Sequence, residues 1–217
     1  MKSGLTELVF ILDKSGSMSG LESDTIAGYN SMLEKQKMQE GEAVVTTVLF
    51  DDKYELLHDR INIKGVKSIT NKDYFVEGTT ALLDALGKTI KKIENVQHNT
   101  SEDERAEKVV FIITTDGMEN ASREFTYEKI KDMIDHQKEK YKWEFIFLGA
   151  NIDAVKTASA FGIGADRSAN YHADGIGTCL NYEVVSDAIS EIRSKKVLSS
   201  NWKDRIDKDF NNRKKGR

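Results

Sequence analysis

An aspartate and two serines stand at alternate positions, Asp13-Lys14-Ser15-Gly16-Ser17, directly after the apolar run Leu8 to Leu12. A second apolar run, Val109 to Ile113, gives way to Thr114-Thr115-Asp116-Gly117. In an open parallel sheet, groups that act on ligands gather outside the carboxyl ends of the strands, where strand order reverses. If the two runs are neighbouring strands, Asp13 and Asp116 lie close together with no obvious arginine to neutralise them. Two such carboxylates either share a proton or attract a cation. The donor set favours the cation: Asp13, Ser15, Ser17 and Asp116 offer only oxygen, which suits Mg2+ or Mn2+, with Ca2+ also compatible, rather than zinc or copper. Mg2+ keeps several waters and uses few carboxylates, so hydroxyls and two acids around an open position match its habit. A third segment, Gly78-Thr79-Thr80-Ala81, leads into a helical pattern, and the Thr80 hydroxyl could either cap that helix or reach a metal.

Short runs that are apolar on both faces, Leu8–Leu12, Val44–Phe50, Val109–Ile113 and Phe145–Leu148, read as strands of a parallel sheet covered by helices. Tyr54–Ile63 mixes apolar residues with His58, Asp59, Arg60 and Asn62, and it follows Phe50 too closely for a crossover. It is therefore expected to be an antiparallel edge strand. Ala81, Leu82, Ala85, Leu86, Ile90 and Ile93 recur at helical spacing. Further helices are expected over Leu21–Gln39, Tyr127–Lys140, Ala154–Phe161 and Tyr182–Arg193, and a sixth short strand over Ala165–Tyr171. Alternating strands and helices predict an α/β fold. It should be Rossmann-like and doubly wound, with a mostly parallel central sheet, one antiparallel edge strand and helices on both faces.

The chain of 217 residues suits one domain able to bury a full core. Its net charge of −4 gives no overall attraction to nucleic acid or to an anionic membrane. One cysteine, Cys179, excludes an intrachain disulfide and a thiolate-built zinc site within one chain. No apolar run approaches the length of a membrane span, and no signal segment is apparent, so a cytoplasmic location is expected. Proline is absent, which removes Pro-rich linkers from consideration. The domain is expected over residues 1–198. Residues 199–217 form a basic tail, with a net +4 over residues 202–217 against about −8 for the remainder. That tail reads as a frayed, solvated terminus or as a weak contact with something acidic.

The order Asp13-x-Ser15-x-Ser17, then a threonine on a Gly-Thr-Thr loop, then Asp116-Gly117 resembles the metal-ion-dependent adhesion site of von Willebrand factor type A domains. The similarity covers roughly residues 5–195, and Phe161 to Ala165 with Ala173-Asp174-Gly175 resembles the closing segment of stand-alone bacterial and phage members. The resemblance implies that Ser15 and Ser17 bind the cation directly and that Thr80 binds directly in one state and through water in another. Asp13 and Asp116 would act largely through waters, leaving a coordination position for an Asp or Glu of a protein partner. Relatives often carry proline after the metal threonine, where this chain has Ala81; Thr80 is preferred to Thr79 by its distance from the helix.

Glu119 and Asn120 could form an outer shell, although solvated loop is the plainer reading. Cys179 is expected just before a helix as a packed thiol, and His58, His98, His136 and His172 show no ligand-like spacing. Gly162-x-Gly164 lacks the third glycine and the preceding strand of a dinucleotide site. Among function classes, a non-enzymatic binding module leads. A Mg2+-dependent hydrolase or phosphoryl-transfer enzyme is the alternative, but there is no phosphate-binding Gly-x-x-x-x-Gly-Lys loop, and only Lys14 stands beside the motif. A structural or assembly protein with an unused metal site is the second alternative.

Overall fold

A computed structural model of the chain describes residues 1–194 and 197–214. Six strands form one sheet: β1 (Lys2–Asp13), β2 (Glu42–Phe50), β3 (Tyr54–Asn62), β4 (Ala106–Thr115), β5 (Glu144–Ala150) and β6 (Ser168–Tyr171). They lie in the order β3-β2-β1-β4-β5-β6. All neighbours are parallel except β2 and β3, which pair antiparallel at the edge. The expected α/β architecture and edge strand are therefore present.

Alternation along β1 divides the interior in two. Leu8, Phe10 and Leu12 join one core with α1 (Glu22–Lys37) and α5 (Gly175–Ser194). Val9 and Ile11 join the other with α2 (Leu82–Asn99), α3 (Tyr127–Tyr141) and α4 (Ala154–Ala160). Each strand buried on both faces explains why the apolar runs are continuous rather than alternating.

Two expectations are corrected. The helix that closes the core begins at Gly175, not Tyr182, so Cys179 lies within α5 and is exposed rather than packed. Asp174 accepts a hydrogen bond from Gly177 N at 2.8 Å, and a Cβ on Gly177 would stand 2.1 Å from the His172 carbonyl oxygen. Glycines chosen for close approach thus hide the helix start behind a loop-like composition. The terminal segment is not frayed either: residues 204–214 form α6 (Asp204–Lys214). Trp202 and Ile206 are buried in the α1/α5 core, and Trp202 Nε1 donates to the Asp166 carbonyl at 2.8 Å. Of its basic residues, Arg205 pairs with Glu183 and Asp187, and Arg213 with Asp174 and Asp209. Lys215 and Arg217 lie outside the described residues. Among the described residues no helix is long and apolar enough to cross a membrane.

Candidate metal centre

The register pairs Leu12 with Thr114, so β1 and β4 end side by side at the reversal of strand order. Asp13 is the last residue of β1, and Asp116 directly follows β4. Both are buried, at 1% and 3% exposure. One oxygen of Asp13 accepts from Ser15 N at 2.7 Å and the other from the Thr115 hydroxyl. The Tyr74 hydroxyl donates to the Asp13 carbonyl at 2.5 Å, which fixes the backbone where strand becomes loop.

Ser15 Oγ lies 3.1 Å from Ser17 Oγ, and Thr80 Oγ1 donates to Ser15 Oγ at 3.0 Å. Gly117 closes the ring from below. A Cβ built on it would stand 2.7 Å from Thr80 Oγ1, 2.9 Å from Ser17 Oγ and 3.5 Å from Ser15 Oγ. Three hydroxyl oxygens therefore converge on one small volume that any larger residue would fill. Ser17 is exposed and stands at the mouth, whereas Ser15 and Thr80 are buried. Thr79, the alternative threonine, is exposed.

Neither carboxylate oxygen of Asp116 has a hydrogen-bond partner among the described residues, although both are buried. Burial pushes its pKa up, against nearby Ser17 and Asn151 side chains that pull it down without reaching hydrogen-bond geometry. Asp13 is pushed up to about 6, chiefly by burial, with a further contribution from the charge of Asp116. Buried acids without a counter-charge either hold a proton or attract a cation. Hydroxyl and carboxylate oxygens without nitrogen or sulfur fit a hard divalent ion. Among the described residues no group of three or more His, Cys, Asp or Glu is gathered, so any such ion must rely on the hydroxyls.

Lys14, the cation nearest in sequence, turns away. Its Nζ lies 3.4 Å from Asp51 and Glu55 and 4.5 Å from the centre of the Phe75 ring. The loops are anchored from behind. Gly16 N donates to the Gly78 carbonyl at 3.1 Å, joining the serine loop to the threonine loop. Asn120 clasps Thr80: its side chain accepts from Thr80 N at 3.0 Å, and its own N donates back to the Thr80 carbonyl at 3.0 Å. Glu119 accepts from Leu83 N at 2.9 Å and caps α2. Glu119 and Asn120 tie the Asp116 loop to the Thr80 loop, the outer-shell role, although Asn120 stays exposed on its loop. Asp84 continues this by accepting from the backbone of Arg123, Glu124 and Phe125. These contacts span some 40 positions of chain, and no local spacing signals them. Beyond Gly117, the exposed Met118 borders a cleft of about 490 Å³ shared with Asn151, Tyr171 and His172.

A sheet of this order with acids and hydroxyls at its central reversal is the von Willebrand factor type A fold, and solved structures bear this out. Proximal thread matrix protein 1 from the mussel byssus, in a form with a zinc-occupied MIDAS motif, superposes with a TM-score of 0.59 at 15% identity; the match covers 86% of this chain and 46% of that one. A von Willebrand factor type A protein from Catenulispora acidiphila gives 0.56 at 14% identity, covering 84% and 42%. The ArnB paralog VWA2 from Sulfolobus acidocaldarius gives 0.50 at 21%, covering 87% and 45%. This chain thus spans less than half the length of these structures. No family model matches the sequence, and no curated protein does.

Proposed function

We propose that the protein is a metal-dependent protein-binding module rather than an enzyme. Ser15, Ser17 and Thr80 would hold a divalent cation, Mg2+ or Mn2+, backed by Asp13 and Asp116. The observation that carries this reading is the convergence of three hydroxyl oxygens beside a buried carboxylate whose two oxygens have no partner. A cation bound there supplies a charged contact for an Asp or Glu of a partner protein. Hydroxyls do not cancel its charge, so it retains an appetite for one more anionic oxygen. Exposed Ser17 and Met118 set the surface that the partner meets. The likeness to a protein whose MIDAS motif holds zinc supports a divalent ion at this position. Against phosphoryl transfer, Lys14 is engaged with Asp51 and Glu55 and is not turned toward a phosphate.

The test is the thermal midpoint in EDTA and in Mg2+, Mn2+ or Zn2+. At about 100 times the dissociation constant, a bound ion stabilises by roughly 2.7 kcal/mol. Ser15→Ala and Thr80→Ala should abolish the rise, while Thr79→Ala should keep it. Titration with an Asp-containing peptide, with and without metal, then reads the partner step. No shift with any ion would overturn the metal reading and bring the assembly-protein alternative forward. Turnover of a phosphoester that vanishes in Asp13→Ala would restore the enzyme.

A further inference from the structure

Beside the metal centre lies a cleft of about 490 Å³, at the carboxyl ends of the strands. Four separate pieces of chain build it. Met118 comes from the loop that carries Asp116, Asn151 and Ile152 follow β5, His172 follows β6, and Phe210 sits on α6. These side chains are within reach of a ligand. Met118 is 73% exposed, Asn151 is exposed, and Ile152, His172 and Phe210 are each partly exposed. The far wall is fixed in place. Phe210 stacks on His172 with ring centroids 4.8 Å apart and an interplanar angle of 28°, and its carbonyl oxygen lies 3.2 Å from His172 Nε2. One turn further along α6, Arg213 binds Asp174 at 2.7 Å and Asp209 at 3.0 Å. The C-terminal helix therefore does more than cover the core: its last turns bring an aromatic ring to the face that carries the metal site.

The cleft is continuous with that site. Met118 is two residues from Asp116, and the Asn151 side chain stands near enough to Asp116 to pull its pKa down. An extended chain advances about 3.3 Å per residue, so the neighbours of an acid held at the metal fall beside this cleft. Charge narrows what can enter. Among the described residues that line it, Asp153 supplies the one carboxylate, and no lysine or arginine takes part. A second acid would meet repulsion there, whereas an uncharged apolar side chain would meet Met118, Ile152 and Phe210. We propose that the cleft reads the residue next to the partner's acid, taking a large apolar side chain of leucine, methionine or phenylalanine type. The partner is thus a protein segment whose Asp or Glu completes the metal and whose adjacent residue is apolar; this rests on the metal-dependent binding proposed above. An apolar anchor at that place also excludes water from the charged contact, as the surroundings of binding hot spots do.

The experiment uses the whole 15N-labelled chain in Mg2+. Acetyl-Leu-Asp-Leu-amide and acetyl-Ala-Asp-Ala-amide are titrated separately and followed by chemical shift. The leucine peptide should bind about tenfold more tightly, the factor expected for partly burying a leucine rather than an alanine side chain. Acetyl-Leu-Asn-Leu-amide, which lacks the acid, should bind at least about tenfold more weakly than the leucine peptide. Phe210→Ala should bring the ratio of the two acidic peptides toward one. Met118→Ala, at an exposed position that folding does not need, should lower the same ratio. Equal affinity for the two acidic peptides, both dependent on Mg2+, would overturn the cleft and leave the metal reading standing. A preference for leucine that survives unchanged in both variants would place the apolar contact elsewhere and overturn the cleft too. If Mg2+ raises the melting temperature but neither acidic peptide binds, the acidic-partner reading fails and the cleft falls with it.

Discussion

Glu7 and Asp13 are buried acids on one face of β1, one at its middle and one at its carboxyl end, and the fold treats them differently. Glu7 meets Arg60 at 2.9 Å and the Gln97 amide at 2.5 Å. Arg60 reaches it from a bulge in β3, where φ is 50° and the pairing with β2 slips. Asp13 receives only a backbone N–H and a hydroxyl, and its neighbouring charge is another acid, Asp116. The sheet is able to bring an arginine to a buried carboxylate, and at the carboxyl ends of β1 and β4 it does not. Burying two acids there without a cationic side chain costs stability, a cost commonly carried at binding sites.

The largest effect should come from breaking the neutralised acid, Glu7. Arg60→Ala leaves Glu7 buried with Gln97 alone and should cost about 3 kcal/mol in urea unfolding, the usual loss when one partner of a buried pair is removed. A loss below about 1 kcal/mol would mean that Glu7 is carried protonated, and the contrast between the two acids would collapse. Burial already pushes the Glu7 pKa up, against the pull of Arg60 and Gln97, so the outcome is informative in either direction.

The second effect reads the other acid through pH. Folded Asp13 holds its proton up to about 6, against an ordinary value of 3.8. Between those values the folded chain binds more protons than the unfolded one, so stability falls as pH rises through that window. The fall should reach at most about 3 kcal/mol in EDTA. Unfolding curves from pH 4 to 7 should lose most of this slope in Asp13→Asn, whatever Glu7 contributes. A slope unchanged by that substitution would show that Asp13 is not the strained group. Excess Mg2+ should offset the fall near neutrality, because the ion favours the ionised carboxylates.

How far all this was legible in the amino-acid order differs by residue. The ends of β1 and β4 announce themselves because five fully buried residues pass abruptly into acid and hydroxyl, a break that packing alone does not require. Helix α2 shows through its period, since one face meets the sheet and the other meets water. Lys2 to Glu7 hides the first half of β1: Lys2 to Gly4 are not buried, and of the buried residues that follow Thr6 and Glu7 are polar. Helix α6 hides for a related reason. Its buried apolar anchors are few, Ile206 and the preceding Trp202, with Phe210 stacked on His172, and its many charges meet partners on α5 and on the loop before it. The loop contacts of Glu119, Asn120 and Asp84 are long-range, and nothing in local spacing encodes them. The direction of Lys14 was equally invisible, because β3 supplies one of its partners, Glu55.

The smallest effect is also the sharpest on the comparison. Asp116→Asn keeps the shape of the side chain and removes a charge that has no partner. Without metal the variant should be more stable than the parent by about 1 kcal/mol, because a neutral amide avoids the desolvation that raises the carboxylate's pKa. In the same variant the stabilisation by Mg2+ or Mn2+ should be lost or much reduced. Glu7→Gln, made in parallel, should show the opposite sign, because it weakens a satisfied pair with Arg60 and leaves the metal response untouched. If Asp116→Asn instead destabilises the metal-free chain, then Asp116 is held by contacts that its surroundings do supply. The two acid sites would then differ in degree rather than in kind.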